Sequence, residues 1–584
     1  MSTHARPLAV WLAAAPDAQL AALFAARGVR ADAAWADFFD AAEALLDQSS
    51  IDRMLPRLTV DEARALRHAT DGDAPGADVD GLIALALLRP DGTPYPPVAE
   101  AVAARELPPH IDIADPEPAD SVAAARAAER AFTTVAAVAD LVLLAAETPL
   151  ALLTGGGLAA GEKRRIAENG TPAETLDDLV AIALDAGILI AADRRLHATA
   201  TGESWLRLPA SDRWIELAES LRSALPRGLR TTDGGWLPTD AWDRQYPWDA
   251  TWSDRVAGIA ARAELLGLTT ADGSEPEWAR PLRLGERADP TALQQMLPSE
   301  VDRIFLQNDL TAIAPGPLEP ALDVRLRHIA ERESAAQASS YRFTADSIAH
   351  ALTSGETAAS ILDFLTVISL TGIPQPLEYL VMQTAQRHGL VRVFTDWSGR
   401  TRVSSVDSTL LDAIGVDQVL RPLALARDAE GLTSRVGRDT VYWTLTDARY
   451  PAMIVGADGE PMVVERNPAP EAPTTSAPDH QPLIARLRAQ QGPDADAAWL
   501  DRELDAAVRA RAVLLVEIVM PDGTTRELQL EASGLGGGRL RGRDRAADVE
   551  RTLPVRSIRS ARVIDPSTGG SSSKGSGTDA ADGR

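Results

Sequence analysis

The stretch "SSYRFTADSIAHALTSGETAASILDFLTVISLTGIPQPLEYLVMQTAQRHGLVRVF" (residues 339–394) carries complete local signals for its secondary structure. It predicts a short strand at "YRF" and two helices capped by Thr344 and Thr357, because a threonine at the N-cap accepts hydrogen bonds from first-turn amides. Pro374 and Gly389 mark the start and end of a third helix, and "LVRVF" predicts a strand. These signals indicate a compact α/β domain.

The preceding segment "VDRIFLQNDLTAIAP" (301–315) predicts two strands joined by a turn at Asn308–Asp309. Together the two stretches resemble the N-terminal, non-motor domain of XPB-type repair helicases, and "FLQNDLTAIAP" adds a resemblance to helicase-associated proteins of actinobacteria. The resemblance implies an interaction platform that binds rather than hydrolyses. The matching positions are Tyr341, Phe343, Thr344, Ser347, Ile348, Gly355, Ile361, Leu365, Ile373, Pro374, His388 and Gly389.

The composition is that of a soluble, helix-rich, multidomain protein. A chain of 584 residues is expected to form roughly three or four domains. Hydrophobic residues make up 45% and charged residues 24%, which is typical of globular proteins. Alanine and leucine dominate, and both favour helices.

Several chemistries are excluded or disfavoured by residue usage. The chain has no cysteine, which excludes disulfides, iron–sulfur clusters and thiolate zinc sites, and its eight histidines form no compact metal pattern. We therefore predict no metal and no cofactor. The net charge of -26 means that any DNA contact must come from a local basic patch.

The sequence also predicts a cytoplasmic protein. No run approaches the ~18 apolar residues that a membrane span requires. The amphipathic pattern at the N-terminus continues past Asp17 through Leu20, Leu23 and Phe24, which favours an ordinary first helix over a signal peptide. We therefore predict no membrane partner.

The glycine-rich stretch "LLTGGGLAAGEKRR" (152–165) does not fit a phosphate-binding loop. Gly156 and Gly161 have the spacing of the Walker A motif, but Glu162 follows instead of lysine, and no Ser or Thr follows Lys163. Both missing residues are needed to bind phosphate and Mg²⁺. The sequence predicts a structural turn, no helicase motor and no enzyme activity.

Residues 130–210 predict three helices followed by the hairpin "ILIAADRRLHATATG", which is the order of a winged helix. A second set of helix and wing is expected at about 240–300. The third helix carries Asp177, Asp178 and Asp185 and no basic residue, so phosphates would repel it. We expect it to pack or to bind a protein partner.

Residues 512–565 predict several strands, with a hairpin at Pro521–Asp522–Gly523. The segment is similar to WYL modules, Sm-like barrels appended to bacterial regulators and repair proteins, through Asp522, Gly523, Arg526 and Ile558. This resemblance implies binding of nucleic acid or a nucleotide ligand. This sequence departs from the family at Gly538-Arg539-Leu540, where WYL modules have Trp-Tyr-Leu.

The same segment is locally basic. Residues 539–562 contain eight arginines against three acidic residues, a net charge of +5. Arg539, Arg541 and Arg543 alternate, which predicts one face of a strand, although a solvated face would give the same pattern. The candidate nucleic-acid-binding residues are Arg539, Arg541, Arg543, Arg556, Arg559, Lys163, Arg164 and Arg165.

The predicted fold class is α+β, mostly α-helical and multidomain, with winged-helix-like units, an XPB-N-terminal-like α/β domain and a small C-terminal Sm-like β-barrel. The predicted segments are a helical N-terminal domain (1–125), winged-helix-like domains (126–299), the XPB-like domain (300–425), a β-rich extension (426–465), a linker (466–482), a helix with the WYL-like barrel (483–565) and a disordered tail (566–584).

These observations predict a non-catalytic DNA-associated adaptor in DNA repair or transcription, which binds a protein partner through its acidic body and nucleic acid through its basic module. The alternative is a transcriptional regulator of the winged-helix and WYL type, in which the module senses a ligand and a winged helix binds DNA.

Overall fold

The computed structural model describes residues 5–73, 79–168, 170–335, 338–456, 459–464, 466, 470, 478–491, 495–520 and 524–563. These residues form an α+β protein that is about 48% helical, which confirms the coarse fold class. Most of the predicted linker, the predicted tail and the predicted hairpin at Pro521–Asp522–Gly523 lie outside the described residues.

The N-terminal part of the chain is helical because its helices carry strong start signals. Asp37 and Asp47 accept hydrogen bonds from first-turn amides, and Thr59 forms a capping box with Glu62. The helices are α1 (Ala5–Ala14), α2 (Asp17–Ala26), α3 (Phe38–Leu45), α4 (Gln48–Met54), α5 (Val60–Asp71), α6 (Val79–Ala84) and α7 (Pro96–Ala103).

The three helices and the hairpin predicted between residues 130 and 210 are present, and a strand between the first two helices was not predicted. The elements are α8 (Ser121–Glu147), β1 (Leu150–Ala151), α9 (Ala160–Ala167), α10 (Leu176–Asp185), β2 (Leu189–Ala192) and β3 (Arg195–Ala198). The strands form an antiparallel sheet in the order β1-β3-β2. Asp193 and Arg194 make the tight turn of the hairpin with positive φ.

Of the second helix-and-wing set expected at about 240–300, the helix is present as α13, but no strand is assigned to the described residues 240–300, so the expected wing is wrong. The elements after β3 are α11 (Ala200–Trp205), α12 (Ala210–Ala224), α13 (Trp252–Leu265), α14 (Arg280–Arg283) and α15 (Thr291–Met296). A turn follows α13, because the carboxylate of Asp272 accepts hydrogen bonds from Ser274 N at 3.2 Å, Ser274 Oγ at 2.8 Å and Thr270 Oγ1. Glu275 then pairs with Pro118 in an isolated bridge.

Lowering the pH tests how much this turn contributes to the stability of the fold. The hydrogen bonds from Thr270 and Ser274 lower the pKa of Asp272 from 3.8 to about 2. A carboxyl group with a lowered folded pKa stabilises the fold above its unfolded pKa and loses this contribution as the pH falls. We expect Asp272→Asn to melt below the wild-type chain at neutral pH, and the gap to narrow as the pH falls from about 5 to about 3. Scanning fluorimetry measures the gap; a pH-independent gap would contradict this account.

Residues 304–387 contain the elements predicted from residues 339–394 except the strand "LVRVF", which belongs to the next sheet. Its elements are β4 (Phe305–Leu306), β5 (Thr311–Ala314), α16 (Pro320–Ile329), β6 (Glu331–Ala335), β7 (Ser339–Arg342), α17 (Ala345–Thr353), α18 (Ala358–Ile368) and α19 (Gln375–Arg387). The strands form a sheet in the order β4-β5-β7-β6. Thr344 and Thr357 each form a capping box, and Pro374 is the N-cap of α19, which confirms these predictions.

In the described part of the chain, no single helix is long and apolar enough to cross a membrane. The helices α17 and α18 reach the required length and apolarity only as a pair, which is bent by 113°. Their apolar residues Ile348, Ile361 and Leu365 belong to the core of the domain.

The next sheet crosses the boundary predicted at residue 425. Its elements are β8 (Val391–Thr395), β9 (Thr401–Ser405), α20 (Ser408–Val416), β10 (Ala426–Asp428), β11 (Gly431–Ser434), α21 (Arg438–Asp447) and β12 (Ala452–Ile454). The strand order is β10-β11-β9-β8-β12, with β12 parallel to β8. The predicted β-rich extension thus shares one sheet with β8 and β9, and one hydrophobic core lies between this sheet and its helices.

The C-terminal strands form an open sheet rather than the predicted β-barrel, and the Sm-like and WYL-like character stays a prediction. The elements are α22 (Gln481–Ala489), α23 (Ala495–Ala510), β13 (Val513–Val519), β14 (Thr525–Gly536), β15 (Arg539–Asp544), β16 (Val549–Pro554) and β17 (Ile558–Val563). The order β16-β15-β14-β13-β17 places β16 and β17 at opposite edges, and these two strands do not pair with each other. Leu500, Leu504 and Ala507 of α23 cover the inner face.

The chain divides into two compact units. The first comprises Met1–Asp112, Asp243–Ser253 and Thr474–Arg584, and the second comprises Ile113–Trp242 and Asp254–Pro473. In the first unit, Leu483, Ile484, Leu487 and Trp499 complete the core of the N-terminal helices. The helix α23 therefore packs against both the N-terminal helices and the C-terminal sheet.

Candidate nucleic-acid interface

Three predicted arginines lie on one face of β15. Arg539, Arg541 and Arg543 are exposed and alternate with the buried residues Leu540, Gly542 and Asp544. The alternation follows from the period of two in a β-strand. We call these three exposed residues the arginine face.

The cross-strand neighbours leave two members of the arginine face without a counter-charge. On β14, Gly536 lies opposite Arg539 and Gly534 lies opposite Arg541, so neither arginine meets a side chain there. The neighbours on β16 are Pro554 and Thr552, respectively. Among the described residues, neither arginine has an ion pair.

Arg543 differs from the other two because acidic residues surround it. Its Nη2 lies 2.7 Å from Asp548 Oδ1. Its cross-strand neighbours are Glu531 on β14 and Glu550 on β16. The positive charge of Arg543 is therefore largely compensated within the sheet.

A buried carboxylate fixes the hairpin that carries the arginine face. Asp544 Oδ2 accepts a hydrogen bond from Arg551 Nε at 2.6 Å, and Oδ1 accepts from the amides of Ala546 and Ala547 at 3.0 and 3.2 Å. The hydrogen bond from Arg551 is the main cause that holds the pKa of Asp544 below its ordinary value. Arg551 thus has a structural role in the turn.

Arg556 lies in the turn that joins the two edge strands, and Arg559 lies on the edge strand β17. Arg556 is exposed in a single 3₁₀ turn between β16 and β17, and it has no ion pair within the described residues. Arg559 Nη1 lies 3.9 Å from Glu517 Oε1, so a carboxylate is close to its charge.

The basic residues of α9 belong to the second unit and are mostly neutralised. Lys163 Nζ lies 2.5 Å from Asp177 Oδ2 on α10, and Arg165 Nη2 lies 2.8 Å from Glu162 Oε2. Arg164 is exposed and has no partner in the described part of the chain. The glycine-rich loop before α9 is a turn, in which the amide of Gly156 donates to the carbonyl of Leu153.

The acidic helix α10 is partly a packing surface. Burial raises the pKa of Asp178 and of Asp185, while the nearby Arg262 opposes this rise. Arg262 Nη1 lies 3.8 Å from Asp185 Oδ2. Asp185 thus takes part in a contact within the unit.

The eight predicted residues therefore form two groups of four, with and without a nearby carboxylate. A carboxylate lies within 4 Å of Arg543, Arg559, Lys163 and Arg165. None lies that close to Arg539, Arg541, Arg556 or Arg164 among the described residues. The sequence could not assign this division, because Asp177 and Glu517 are 14 and 42 residues away from the bases they approach.

Comparison with protein-family models matches residues 304–429 to the family described as "Helicase conserved C-terminal domain". The match begins beside β4 and ends just after β10, so it includes the first sheet of this region and part of the second. No curated protein matches the chain. The family match supports the helicase-related part of the resemblance, without the XPB type. The chain therefore contains a helicase-related domain at residues 304–429.

Proposed function

We propose that this protein is a non-catalytic, DNA-associated adaptor that acts in DNA repair or transcription in the cytoplasm. The observation that carries the proposal is the arginine face, where Arg539 and Arg541 present uncompensated charges on a rigid strand. The helicase-related domain supports a role connected with nucleic acid.

In this proposal Arg539, Arg541 and Arg556, which have no counter-charge among the described residues, contact phosphates. Guanidinium groups bind phosphate oxygens with two parallel hydrogen bonds. Contacts to the backbone carry no direct sequence information, so we expect little sequence preference. The net charge of -26 opposes binding by the rest of the chain, so we expect weak binding with a strong salt dependence.

The absence of a motor motif from the sequence supports the adaptor role. No glycine-rich loop in the chain is followed directly by lysine and Ser or Thr, which a nucleotide-driven motor requires. We propose that residues 300–425 act as a platform like the XPB N-terminal domain, without hydrolysis. Measurable ATP turnover by the pure protein would contradict this part of the proposal.

The alternative, a ligand-sensing transcriptional regulator, draws support from the winged-helix-like order of α8, α9, α10 and the β2–β3 hairpin. The third helix of such a unit would read DNA, but α10 carries Asp177 and Asp178 in its first turn. We therefore propose that this unit packs or binds a protein partner. Sequence-selective binding lost on deletion of residues 130–210 would favour the regulator.

Removing the uncompensated charges tests the proposal. We expect the triple variant Arg539→Gln, Arg541→Gln and Arg556→Gln to bind a labelled duplex at least about tenfold more weakly than the wild-type chain at low salt, because three phosphate contacts are lost. The plot of log affinity against log salt should become shallower by about 0.9 for each lost phosphate contact. Fluorescence anisotropy of the full chain at several salt concentrations measures both quantities.

The matched control changes the same number of charges on the same sheet. Arg543, Arg545 and Arg559 each approach a carboxylate, so their triple substitution by glutamine should weaken binding much less. Equal losses for the two triple variants would show that only net charge matters. Unchanged binding by the first variant would refute the arginine face as the contact.

A further inference from the structure

Trp397 is exposed at the tip of the hairpin that joins β8 and β9. Its side chain is 99% exposed. All twelve tryptophans of the chain lie among the described residues, and the other eleven are buried or half-buried. Leaving so much apolar area in water is unfavourable, and the fold does not use this side chain for packing.

The tip that carries Trp397 is rigid. Asp396 accepts hydrogen bonds from Ser398 N at 2.8 Å, Ser398 Oγ at 2.7 Å and Arg400 N at 3.0 Å. Gly399 closes the turn with a φ of +78°, a conformation that glycine adopts without strain. The backbone of the tip is therefore ordered before any partner binds, which lowers the entropic cost of an interaction.

The hairpin is basic within an acidic chain. Residues 391–403 contain three arginines and one aspartate, a net charge of +2 in a chain of -26. Arg402 is compensated, because it lies 3.1 Å from both Asp428 and Glu430. Arg392 and Arg400 are exposed, and neither has an ion pair within the described residues.

A flat aromatic ring beside free guanidinium groups fits a single-stranded nucleic acid. Unpaired bases stack on exposed aromatic side chains, and arginines hold the adjacent phosphates. A protein partner would favour an apolar surround that excludes water from the central aromatic residue. Here the neighbours of Trp397 in the turn are Asp396, Ser398 and Gly399, and the exposed Val406 follows the far end of β9.

We propose that the β8–β9 hairpin binds single-stranded nucleic acid, with Trp397 stacked on an unpaired base, Arg400 on a nearby phosphate and Arg392 on a phosphate farther along the same strand. Arg392 lies five residues before Trp397, so a strand bound along β8 would extend over ~16 Å. This inference rests on the proposed association with nucleic acid and adds a contact in the helicase-related domain, separate in sequence from the arginine face.

The test compares a short labelled single strand with a duplex of the same length, using the full chain. We expect Trp397→Ala to bind the single strand about tenfold more weakly, the change expected from the loss of one stacked base, and to bind the duplex as the wild type does. Trp397→Phe should keep most of the affinity because it keeps an aromatic face. Trp397→Leu should resemble the alanine variant, since it keeps apolar area only.

Val406→Ala is the control, because Val406 is 95% exposed in the same domain and its removal should leave both affinities unchanged. Full single-strand affinity in Trp397→Ala, or full rescue by leucine, would overturn the stacking role. If the Arg539, Arg541 and Arg556 variant still loses affinity in that case, the proposed function stands without this contact. A wild-type chain that binds neither probe would overturn both.

Discussion

Replacing Asp140 with alanine is expected to destabilise the second unit by about 3–5 kcal/mol. Asp140 on α8 accepts a hydrogen bond from Arg327 Nη1 at 2.6 Å and another from Arg332 Nη2. The three side chains are only 17–20% exposed. Without Asp140, two largely buried guanidinium groups would lose their shared counter-ion, and such uncompensated charges are costly.

The surrounding network makes this loss hard to repair. Arg327 Nη1 lies 3.7 Å from Asp323 Oδ2, and the hydroxyl of Tyr341 donates to Asp323 Oδ1 at 2.6 Å. Although burial opposes the charged form, Asp140 and Asp323 hold the pKa of Arg327 above its ordinary value. Burial first, and Asp323 second, raise the pKa of Tyr341. Asp323 alone cannot compensate both arginines.

Denaturant unfolding of the full chain measures the loss of stability, provided that the signal recorded reports on the second unit. The control is Asp346→Ala, because Asp346 forms an ion pair with Arg449 in which both side chains are at least 69% exposed. Exposed pairs contribute about 1 kcal/mol or less. A loss of stability in Asp140→Ala no greater than in this control would contradict the role of the network.

Gly235→Ala is expected to cost about 3 kcal/mol or more, because overpacking against rigid backbone is among the largest single-residue effects. A Cβ at Gly235 would overlap the carbonyl group of Arg283, with the carbonyl carbon at 2.6 Å and the amide nitrogen of Gly285 at 2.7 Å. The amide of Trp236 donates to that same carbonyl at 3.0 Å. The clash therefore involves backbone that hydrogen bonds hold in place.

At a second glycine we expect the opposite effect of alanine on stability. Gly258 lies in α13 with no atom within 4 Å of an added Cβ. Gly258→Ala should stabilise the protein by about 0.5–1 kcal/mol, because alanine is the better helix former. Thermal unfolding of both variants checks the pair of predictions. A tolerated alanine at Gly235 would mean that the two backbone segments separate easily.

Local signals explain why the helicase-related domain could be predicted from sequence. The start of α17 is encoded by Thr344 and Ser347, which lie three residues apart and satisfy each other's backbone amides. The same holds for Thr357 and Ser360 at α18. A capping box needs no distant partner, so the sequence alone determines it.

Contacts between distant residues explain what sequence patterns missed. The strand β12 joins its sheet only after the crossover helix α21, as parallel pairing requires. The open C-terminal sheet depends on whether its two edge strands meet, which no local pattern encodes. The alternation of Arg539, Arg541 and Arg543 was predicted, whereas the partner of Arg559 was not, because Glu517 lies on another strand.

The tip of the β8–β9 hairpin shows the same limit for function. The run "DWSGR" (396–400) has the composition of a tight turn, so the turn could have been found in the sequence. The nearly complete exposure of Trp397 depends on the absence of a tertiary partner, and sequence patterns do not reveal that. Exposure of a large aromatic residue was therefore the signal that only the structure supplied.

The shared core of the first unit has a consequence for how the chain folds as it is synthesised. The core of the N-terminal helices includes Leu483, Leu487 and Trp499, the first of which is synthesised 380 residues after the end of α7 at Ala103. Apolar surface on the emerging helices must stay uncovered during that time, which favours aggregation or capture by chaperones. The second unit, whose segments lie between them, can fold first and bring the two ends together, which shortens the loop that must close.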